Sequence, residues 1–424
     1  MTATHIEPRA IPAGTIPRLL PPTSLPTLEA HERHFGPLRP VDRRLIAEVE
    51  GSGLQGRGGA GFPTAVKLAA VARGRRPLVV VNATEGEPAS NKDKTLLRVV
   101  PHLVIDGAAA AAMAVGADEV IVCVERSAGA QAARAAIEAA ADERRPRLPI
   151  GIRVEALPDR YVAGEESALV HWLDGGEAKP TFVPPRPFEK GVGGRPTLVD
   201  NAETLAHLAL IARYGGAWFR SVGTTTDPGS ALMTISGAVA DPGVYEIPLG
   251  VGLAEVIGHA GPTPDGVQAV LLGGYFGTWI HGSDVGRVEL SRGSLAEVGA
   301  GFGCGVLAVL PGGVCPLAEA ARVVRWLADQ NAGQCGPCVL GLPAIADTLD
   351  AVVGGDRTGR ALAALHHYAG LVRGRGACKH PDGAVRLVES TVTVFADHIA
   401  AHGRHGPCRR TPAVLPTPAP GGWR

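Results

Sequence analysis

Two cysteines three positions apart, Cys335 and Cys338, are the residues whose spacing most directly predicts chemistry. They lie in the stretch NAGQCGPC, where Gly336 and Pro337 turn the chain between them. Such a pair of cysteines, called here the cysteine hook, binds a metal ion or an iron–sulfur cluster through its thiolates. A redox dithiol is an alternative, but it requires a thioredoxin-like context that this region lacks. The hook supplies only part of the thiolate set that a cluster normally uses.

A glycine-rich loop, GRGGAG at residues 56–61, opens a helix that begins near Pro63. Successive glycines let backbone N–H groups approach phosphate oxygens, and a helix N-terminus adds a positive dipole. Arg57 and Lys67 could add positive charge, whereas a flexible loop without a ligand is the alternative. The glycines at 51, 53 and 56 satisfy G-x-G-x-x-G, but a helix precedes them instead of a strand, which excludes the dinucleotide fingerprint.

These residues, together with others in the same order, resemble a known family. GRGGAGFPTAVK is similar to the flavin loop of the NADH-binding flavoprotein subunit of respiratory complex I, shared with diaphorase subunits of hydrogenases and formate dehydrogenases. The resemblance runs over residues 40–400, through NATEGEPASNKDK, YVAGEESALVHWLDG, GVGGRPTLVDNAETL and the cysteine hook. It implies three cofactors, FMN, a [4Fe-4S] cluster and NADH or NADPH. In that family NADH gives a hydride to FMN, and the cluster removes electrons singly.

The resemblance also implies the site residues. Thr84, Gly86 and Ala89 stand where the family's strand-end motif has Asp, Ser and Gly, and Asp200 replaces an Asn. Glu87 and Glu165 are the candidate catalytic residues, as positioners that shape the nicotinamide pocket. For Glu165 and Glu166 alone, helix N-terminal charge would be the alternative. The implied cofactor-binding residues are Gly56, Arg57, Gly58, Gly59, Ala60, Gly61, Phe62, Lys67, Asn82, Thr84, Glu85, Gly86, Gly164, Glu165, Glu166, Asp200, Asn201 and Thr204.

The predicted adenine clamp departs from the family at two places. Phe62 could supply one ring, but Leu68 follows Lys67 where the family has an aromatic residue, and Arg186 replaces a Phe, with Phe188 two residues on. Loss of one ring–base stacking pair would weaken the binding free energy of the nucleotide by on the order of 1–3 kcal/mol. Arg186 could stack, could favour NADPH by meeting a 2′-phosphate, or could be a solvated loop residue.

The implied cluster ligands are Cys335, Cys338 and Cys378, while Ala332 stands where the family has a further Cys. His380, Asn331 or water could take that place. Four outcomes stay open: [4Fe-4S] with a non-Cys ligand, [3Fe-4S], Cys₃His zinc, or no metal.

The remaining cysteines are not expected to complete the cluster. Cys315 lies 20 residues before Cys335, mostly across a helix, and about 1.5 Å of rise per residue would place it too far away. Cys123 is expected in a strand core and Cys408 as a thiol of the tail, and Cys304 cannot be placed.

The elements that must position these residues fall into three regions. Between 41 and 225, the strands RPLVVVNA, EVIVCVE and GIRVEAL alternate with helices, which predicts an α/β domain. Between 230 and 310, short strands with Gly and Pro turns predict a small α+β domain. Between 312 and 405, four helical patterns predict a bundle. The resemblance implies that these are an FMN-binding α/β domain, a ubiquitin-like β-grasp (SLBB) domain and a helical iron–sulfur domain.

The ends and the composition complete the prediction. The Pro-rich composition of residues 1–40 predicts an arm that wraps over a surface. The same kind of composition at 406–424 predicts a disordered tail. The 41 basic and 41 acidic residues balance, which leaves no electrostatic footprint for nucleic acid. Without an apolar run of about 18 residues, a signal peptide or a paired cysteine framework, we expect a cytoplasmic chain, or one peripheral to a membrane complex.

The sequence therefore predicts an FMN-dependent electron-transfer subunit, similar to an NADH dehydrogenase (quinone). It would oxidise NADH or NADPH and pass single electrons through the cluster to a ferredoxin-like or thioredoxin-like iron–sulfur subunit, or to a quinone-reductase complex. A redox-impaired paralogue serving as a flavin-binding or assembly module is the alternative, and a flavin dehydrogenase with a non-nucleotide donor is a third hypothesis.

Overall fold

A computed structural model of the chain describes residues 8–10, 18–261, 265–409 and 412–423. Its strands are β1 (Pro8–Ala10), β2 (Leu78–Ala83), β3 (Glu119–Glu125), β4 (Gly151–Leu157), β5 (Thr197–Asn201), β6 (Ser230–Gly237), β7 (Gly243–Pro248), β8 (Val267–Leu272), β9 (Thr278–His281) and β10 (Val306–Pro311). Its helices are α1 (Leu28–Phe35), α2 (Leu45–Ser52), α3 (Thr64–Val71), α4 (Lys92–Val99), α5 (Pro101–Val115), α6 (Gln131–Arg144), α7 (Glu166–Leu173), α8 (Ala202–Tyr214), α9 (Gly216–Phe219), α10 (Leu253–His259), α11 (Arg292–Glu297), α12 (Pro316–Asp329), α13 (Leu342–Val353), α14 (Arg360–Val372), α15 (His380–Val394) and α16 (Ala396–His405).

The first sheet is parallel, with strand order β4-β3-β2-β5. The apolar runs of β2 and β3 are buried because helices cover both faces of the sheet, as parallel sheets require. Strand β5 was not predicted, because its five residues lie inside a stretch that also reads as a loop leading to a helix. Its place beside β2 reverses the strand order there, and open α/β sheets bind ligands outside the carboxyl ends at such a point.

Helices α5 and α8 pack closely against each other on one face of this sheet. The run of alanines in α5 is buried, and small side chains let the two backbones approach. At Gly107 the approach is closest, since a Cβ built there would lie 1.8 Å from the carbonyl oxygen of Leu205. This contact fixes the helix that begins at the end of β5 against the core.

The second sheet is mixed, with strand order β1-β7-β6-β10-β8-β9, and it is buried on both faces. In β10, Leu307 and Val309 join the core of the β-grasp domain, whereas Val306, Ala308 and Leu310 join the core of the C-terminal helices. This alternation follows from the two-residue period of a strand. The α/β domain, β-grasp domain and helical bundle follow one another as the predicted fold class requires.

The C-terminal region differs from the prediction in two respects. The last predicted helix is two helices, α15 and α16, which meet at Phe395. The described part of the tail, which was predicted to be disordered, packs against α12. Leu415 is buried, the Trp326 indole donates to the Pro418 carbonyl (2.6 Å), and Arg322 donates to the Thr417 hydroxyl (2.5 Å). Proline-rich chain still offers carbonyl acceptors, and α12 presents donors to them.

The N-terminal arm is tied to the rest of the chain by strand β1, which pairs parallel to β7, and by a turn at Arg18. The predicted arm at residues 1–7 and 11–17 lies outside the described residues. One carboxylate oxygen of Glu246 in β7 accepts the backbone N–H groups of Arg18 (2.9 Å) and Leu19 (2.8 Å). The Arg18 guanidinium donates to the carbonyl of Phe219 (2.9 Å). This turn therefore joins the β-grasp sheet to the end of the α/β domain.

Within the described ranges, no single helix combines the length and the apolar content needed to cross a bilayer. Helices α4 and α5 would pass only when counted together, and they are bent by 97° relative to each other.

We predict that Gly107→Ala destabilises the fold, because its methyl group would collide with the Leu205 backbone and overpacking typically costs about 1–3 kcal/mol. Gly370→Ala is the matched control, since Gly370 also lies inside a helix but has open space around its Cα. There the change is expected to stabilise by about 0.5–1 kcal/mol. Urea unfolding measures both. Equal effects at the two positions would contradict the close α5–α8 contact.

Candidate functional site

Two predicted asparagines meet where the strand order reverses. Asn82 of β2 pairs with Asn201 of β5 in the sheet register, and the Asn201 side-chain amide donates to the Asn82 carbonyl (3.3 Å). The Asn82 amide donates to the Gly164 carbonyl (2.8 Å). The Asn201 side chain also caps α8 by accepting the N–H of Glu203 (3.0 Å). The structure thus brings three separate sequence motifs to one sheet edge.

The glycine-rich loop, residues 56–61, lies over this edge. A Cβ built at Gly58 would lie 3.3 Å from the Cβ of Asn201, and the N–H of Arg57 donates to the Thr204 hydroxyl (2.9 Å). The N–H groups of Gly58 to Gly61 make no hydrogen bond to any residue that the structure describes. Several unpaired donors above the carboxyl ends of strands fit a phosphate group, and hence FMN.

The two predicted cations of this loop have different surroundings. Lys67 donates through its ammonium to Glu166 (3.2 Å) and to the Val199 carbonyl (3.0 Å), at the end of β5. The Arg57 guanidinium instead donates to the Ser230 carbonyl (3.1 Å) in the β-grasp sheet and lies 3.9 Å from Glu203. Both cations are therefore paired with a carboxylate within the protein, and Lys67 is the one beside the strand end.

A buried ion pair, Lys92 with Glu203, supports the same edge, and the sequence did not reveal it. The Lys92 ammonium donates to Glu203 (2.9 Å), Asp93 (2.9 Å) and the Asn201 amide oxygen (3.2 Å). Burial alone would lower the pKa of Lys92, but its carboxylate neighbours raise it. Burial would raise the pKa of Glu203, but Lys92, His207 and Arg57 lower it to about 2. Lys92 lies in NATEGEPASNKDK and Glu203 in GVGGRPTLVDNAETL. From the sequence alone, however, a charged residue is expected to be exposed to solvent.

Two of the predicted site carboxylates are helix caps. Glu85 accepts the Ser90 hydroxyl (2.5 Å) and the N–H groups of Asp93 (3.2 Å) and Lys94 (3.1 Å) at the start of α4. Glu165 accepts the N–H groups of the next residues, Ser167 (3.0 Å) and Ala168 (3.1 Å), at the start of α7. The alternative weighed for Glu165, favourable charge at a helix N-terminus, thus describes its hydrogen bonds.

Glu87 lies deeper, where the α/β domain meets the β-grasp domain. One carboxylate oxygen accepts the Tyr275 N–H (2.8 Å) and the Tyr161 hydroxyl (3.1 Å). Burial raises the pKa of Glu87 to about 7, although these hydrogen bonds oppose the shift. Tyr161 lies in YVAGEESALVHWLDG but was not predicted as a site residue. Gly86, which stands where the family has Ser, matches this close packing. A Cβ at position 86 would lie 2.9 Å from the Tyr161 carbonyl oxygen.

Thr84 and Gly164 also touch. A Cβ at Gly164 would lie 2.7 Å from the Thr84 hydroxyl, so a larger residue at position 164 would collide with the Thr that replaces the family's Asp. The Asp200 carboxylate is buried, which raises its pKa, and it accepts the Asn201 N–H (3.1 Å).

Two exposed aromatic rings lie near these elements. Phe62 is 43% exposed at the end of the glycine-rich loop. Phe182, which the sequence did not single out, is 83% exposed, and its neighbour Thr181 is bonded to the Ser167 hydroxyl (2.9 Å) at the start of α7. Phe188, the predicted replacement ring, packs against the core, and Arg186 is exposed.

The three predicted cluster cysteines converge. Burial, together with the charges of Cys335 and Cys378, raises the pKa of Cys338, which lies in a π-helical turn, Pro337–Gly341. Among the described residues, these thiols do not form a group within 4.8 Å of one another, as the ligands of one ion would.

The position of the missing thiolate, Ala332, is buried. Of the predicted substitute ligands, Asn331 already uses both ends of its side-chain amide in hydrogen bonds. The amide accepts the Gly333 N–H (2.7 Å) and donates to the Ala328 carbonyl (2.5 Å). His380 bonds through Nε2 to the Leu327 carbonyl (2.8 Å), and its Nδ1 has no partner in the part of the chain that the structure describes. Cys315 lies elsewhere, 3.6 Å from His402, and does not join the hook.

The flavin motifs and the hook are directly connected. Arg160 donates to the Asn331 carbonyl (3.2 Å), and the Tyr161 N–H donates to the Gln330 side chain (3.2 Å). Burial and the charge of Glu165 are among the causes that raise the pKa of Cys378 to about 11. The short turn Tyr161–Gly164 therefore contacts Asn82 on one side and the segment before the hook on the other.

Comparison with known proteins agrees with this arrangement. Residues 49–210 match the Nuo51 FMN-binding domain, residues 232–273 the SLBB domain, and residues 318–402 the NADH-ubiquinone oxidoreductase-F iron-sulfur binding region. The matched regions cover the glycine-rich loop, strands β7 and β8 with most of β6, and the cysteine hook, respectively. The fold and the residues present thus fit FMN and a [4Fe-4S] cluster as cofactors.

Curated relatives resemble the chain over most of its length. The F 2 subunit of the NADH-quinone oxidoreductase of Rhizobium meliloti (strain 1021) is 33% identical over 373 residues, 84% of this chain and 88% of that protein. The F subunit of the Streptomyces coelicolor NADH-quinone oxidoreductase is 31% identical over 407 residues, 91% of this chain and 90% of that protein. The NADP-reducing hydrogenase subunit HndC of Solidesulfovibrio fructosivorans is 30% identical over 374 residues, 84% of this chain and 76% of that protein.

Solved structures of an NAD⁺-reducing [NiFe]-hydrogenase share the fold. The H₂-reduced state superposes with a TM-score of 0.82 at 31% identity, over 94% of this chain and 68% of that chain. The air-oxidized state gives 0.77 at 32% identity, over 88% of this chain, which spans 64% of the solved chain. By these matches, in which the three regions occur in the same order, the chain belongs to the family of NADH-quinone oxidoreductase F subunits.

Proposed function

We propose that this chain is the electron-input subunit of a redox complex, which oxidises NADH or NADPH and delivers single electrons to an iron–sulfur partner. The observation that carries the proposal is the turn Tyr161–Gly164, which contacts the flavin-side strand end and, through Tyr161, the segment before the cysteine hook. FMN, when bound, supplies the conversion of two-electron into one-electron chemistry. The protein supplies placement and electrostatics.

In this proposal the side chains bind and orient. The unpaired N–H groups of the glycine-rich loop and the Lys67 ammonium hold the phosphate, while Asn82 and Asn201 fix the strand ends beside it. The helix caps Glu85 and Glu165 keep α4 and α7 in place. Glu165 thus acts by positioning α7, since no side-chain acid or base is needed for hydride transfer.

The site of electron exit is proposed to be the hook. Val339 is 47% exposed and Leu340 is 72% exposed, directly after the buried Cys338. Exposed apolar residues mark sites where another protein docks and covers them. Their place next to the hook therefore favours a partner protein at the point of electron exit. The relatives are named as subunits of NADH-quinone oxidoreductases and a hydrogenase, which supports a ferredoxin-like or thioredoxin-like iron–sulfur subunit as the partner.

Nucleotide binding gives the first prediction. Phe182→Ala and Phe62→Ala are each expected to raise KM for NADH or NADPH about tenfold, because ring–base stacking contributes about 1–3 kcal/mol. Anaerobic titration of the purified flavoprotein, followed by flavin bleaching, measures this. Phe188→Leu is the control, since Phe188 packs against the core. Flavin that neither nucleotide reduces would contradict the proposed donor, and protein purified without flavin would favour the assembly-module alternative.

The missing ligand gives a second prediction. Ala332→Cys should increase iron per chain and sharpen the spectrum of the reduced cluster, because thiolate is the normal ligand of such clusters. Ala332→Ser is the size-matched control and should leave iron content near that of the wild type. Iron analysis and EPR after anaerobic reduction provide the readout. Unchanged iron and spectra in the Cys variant would show that Ala332 does not occupy a ligand position.

Glu87 gives a third prediction, from its pKa of about 7. A carboxyl whose pKa is raised by folding favours the folded state when protonated, so its charged form costs stability as pH rises from about 4.5 to 7. Glu87→Gln removes that cost. The variant should therefore gain about 3 kcal/mol relative to wild type between pH 4.5 and pH 8. Urea unfolding at several pH values tests this, with exposed Glu29→Gln as the control. A pH-independent difference would mean that folding does not raise the pKa of Glu87.

A further inference from the structure

Four side chains outside the flavin and cluster sites form a separate group of metal-ligand type. Cys315, His398, His402 and Cys408 each place one ligand atom within 4.8 Å of all the others. The Cys408 sulfur lies 3.2 Å from Nε2 of His398 and 3.2 Å from Nε2 of His402, and the Cys315 sulfur lies 3.6 Å from the latter nitrogen. We infer that these residues form a structural zinc site.

Local structure explains why they meet. His398 and His402 are four residues apart in α16, so they project from the same face of that helix. The helix ends at Gly406, whose positive φ of 85° reverses the chain and returns Cys408 to the same face. The Cys408 backbone N–H donates to Nε2 of His402 (3.3 Å). Cys315 comes from the opposite side, as the residue that precedes α12.

The orientation of His402 is fixed by a second contact. Its Nδ1 bonds to the Val353 carbonyl at 2.8 Å, so Nδ1 carries the proton and Nε2 presents a lone pair to the two sulfurs. Metal-ligating histidines usually donate their other ring N–H to a carbonyl or carboxylate in this way. His402 and Cys315 are buried, His398 is half-buried and Cys408 is exposed, which provides an entry path beside a cavity of about 370 Å³.

The spacing selects a single tetrahedral ion. Zinc–sulfur bonds of about 2.3 Å and zinc–nitrogen bonds of about 2.05 Å at tetrahedral angles place S and N about 3.6 Å apart. The observed sulfur–nitrogen separations of 3.2–3.6 Å are close to that value. A two-iron cluster on two Cys and two His would segregate sulfur and nitrogen ligands on different irons, whereas here Cys408 contacts both imidazoles. Among common ions, a tetrahedral S₂N₂ set suits zinc.

Such an ion would fasten the C-terminal segment to α12. Cys408 precedes the described residues 412–423, which run along α12 and end beside the flavin side of the molecule. The Gly421 N–H donates to the Asp159 carbonyl (3.1 Å), and the Trp423 ring stacks 4.1 Å from the Arg160 guanidinium. Because Arg160 also donates to Asn331, the segment held by the metal braces the turn between the two redox motifs.

Metal analysis of the full-length protein tests the inference. About one zinc per chain is expected for the wild type, with two sulfur and two nitrogen ligands at the zinc X-ray absorption edge. Cys408→Ser and His398→Ala should each lower zinc content about tenfold or more, and both lie at the accessible side of the site, where folding is least affected. His405→Ala is the matched control on the same helix and should keep the zinc, because His405 is exposed and outside the group.

A Cys335→Ser/Cys338→Ser double variant separates this site from the hook and should also keep the zinc. Trypsin should cleave after Arg409 faster in Cys408→Ser than in His405→Ala. The inference is overturned if wild-type protein supplied with zinc and with reduced thiols binds none, or if mass spectrometry finds a Cys315–Cys408 disulfide. It is equally overturned if zinc is lost from the hook variant and retained by Cys408→Ser.

Discussion

The buried ion pair between Lys92 and Glu203 is the interaction on which the arrangement of the redox site depends. Lys92 is 2% exposed, and removing one partner of such a pair would leave an uncompensated buried charge. Glu203 lies in the first turn of α8, two residues after the strand-end Asn201, and its second oxygen accepts the Leu232 N–H (2.8 Å) of the β-grasp sheet. Arg57, in the glycine-rich loop, lies beside the same carboxylate. One buried charge cluster thus holds the loop, the strand ends and the second domain in fixed relation.

That cluster changes how the predicted site carboxylates are understood. Two of those carboxylates, Glu85 and Glu165, bind the N-termini of α4 and α7. Glu203, which the sequence did not single out, lies in the first turn of α8. Backbone N–H groups and the helix dipole favour negative charge at all three places. Their hydrogen bonds are made within the protein, and they fix the helices around the sheet edge. In the part of the chain that the structure describes, the backbone donors of the glycine-rich loop at that edge make no hydrogen bond, and the rings of Phe62 and Phe182 are exposed. The family's acidic motifs thus build the frame of the site as well as its surface.

The sequence predicted what depends on local pattern and missed what depends on tertiary contact. The apolar runs of β2 and β3, and the spacing of Cys335 and Cys338 in the hook, could be recognised from the local sequence alone. The five-residue strand β5 did not, because only its position beside β2 makes it a strand. Burial of Lys92 and the convergence of Cys408 with Cys315 depend on residues about 90 or more positions away, which spacing arguments cannot reach. Phe182 was overlooked because exposure is a property of the folded chain.

The β-grasp sheet belongs to two hydrophobic cores at once, since alternate residues of β8 and β10 face its own helix α10 and the C-terminal bundle. A packed sheet of this kind cannot act as a hinge without exposing both cores, because close-packed interiors do not deform continuously. Electron tunnelling rates fall steeply with the distance between centres. With FMN and a cluster bound, the distance between them would be fixed by this packed structure, and internal electron transfer would not need to be gated by domain motion.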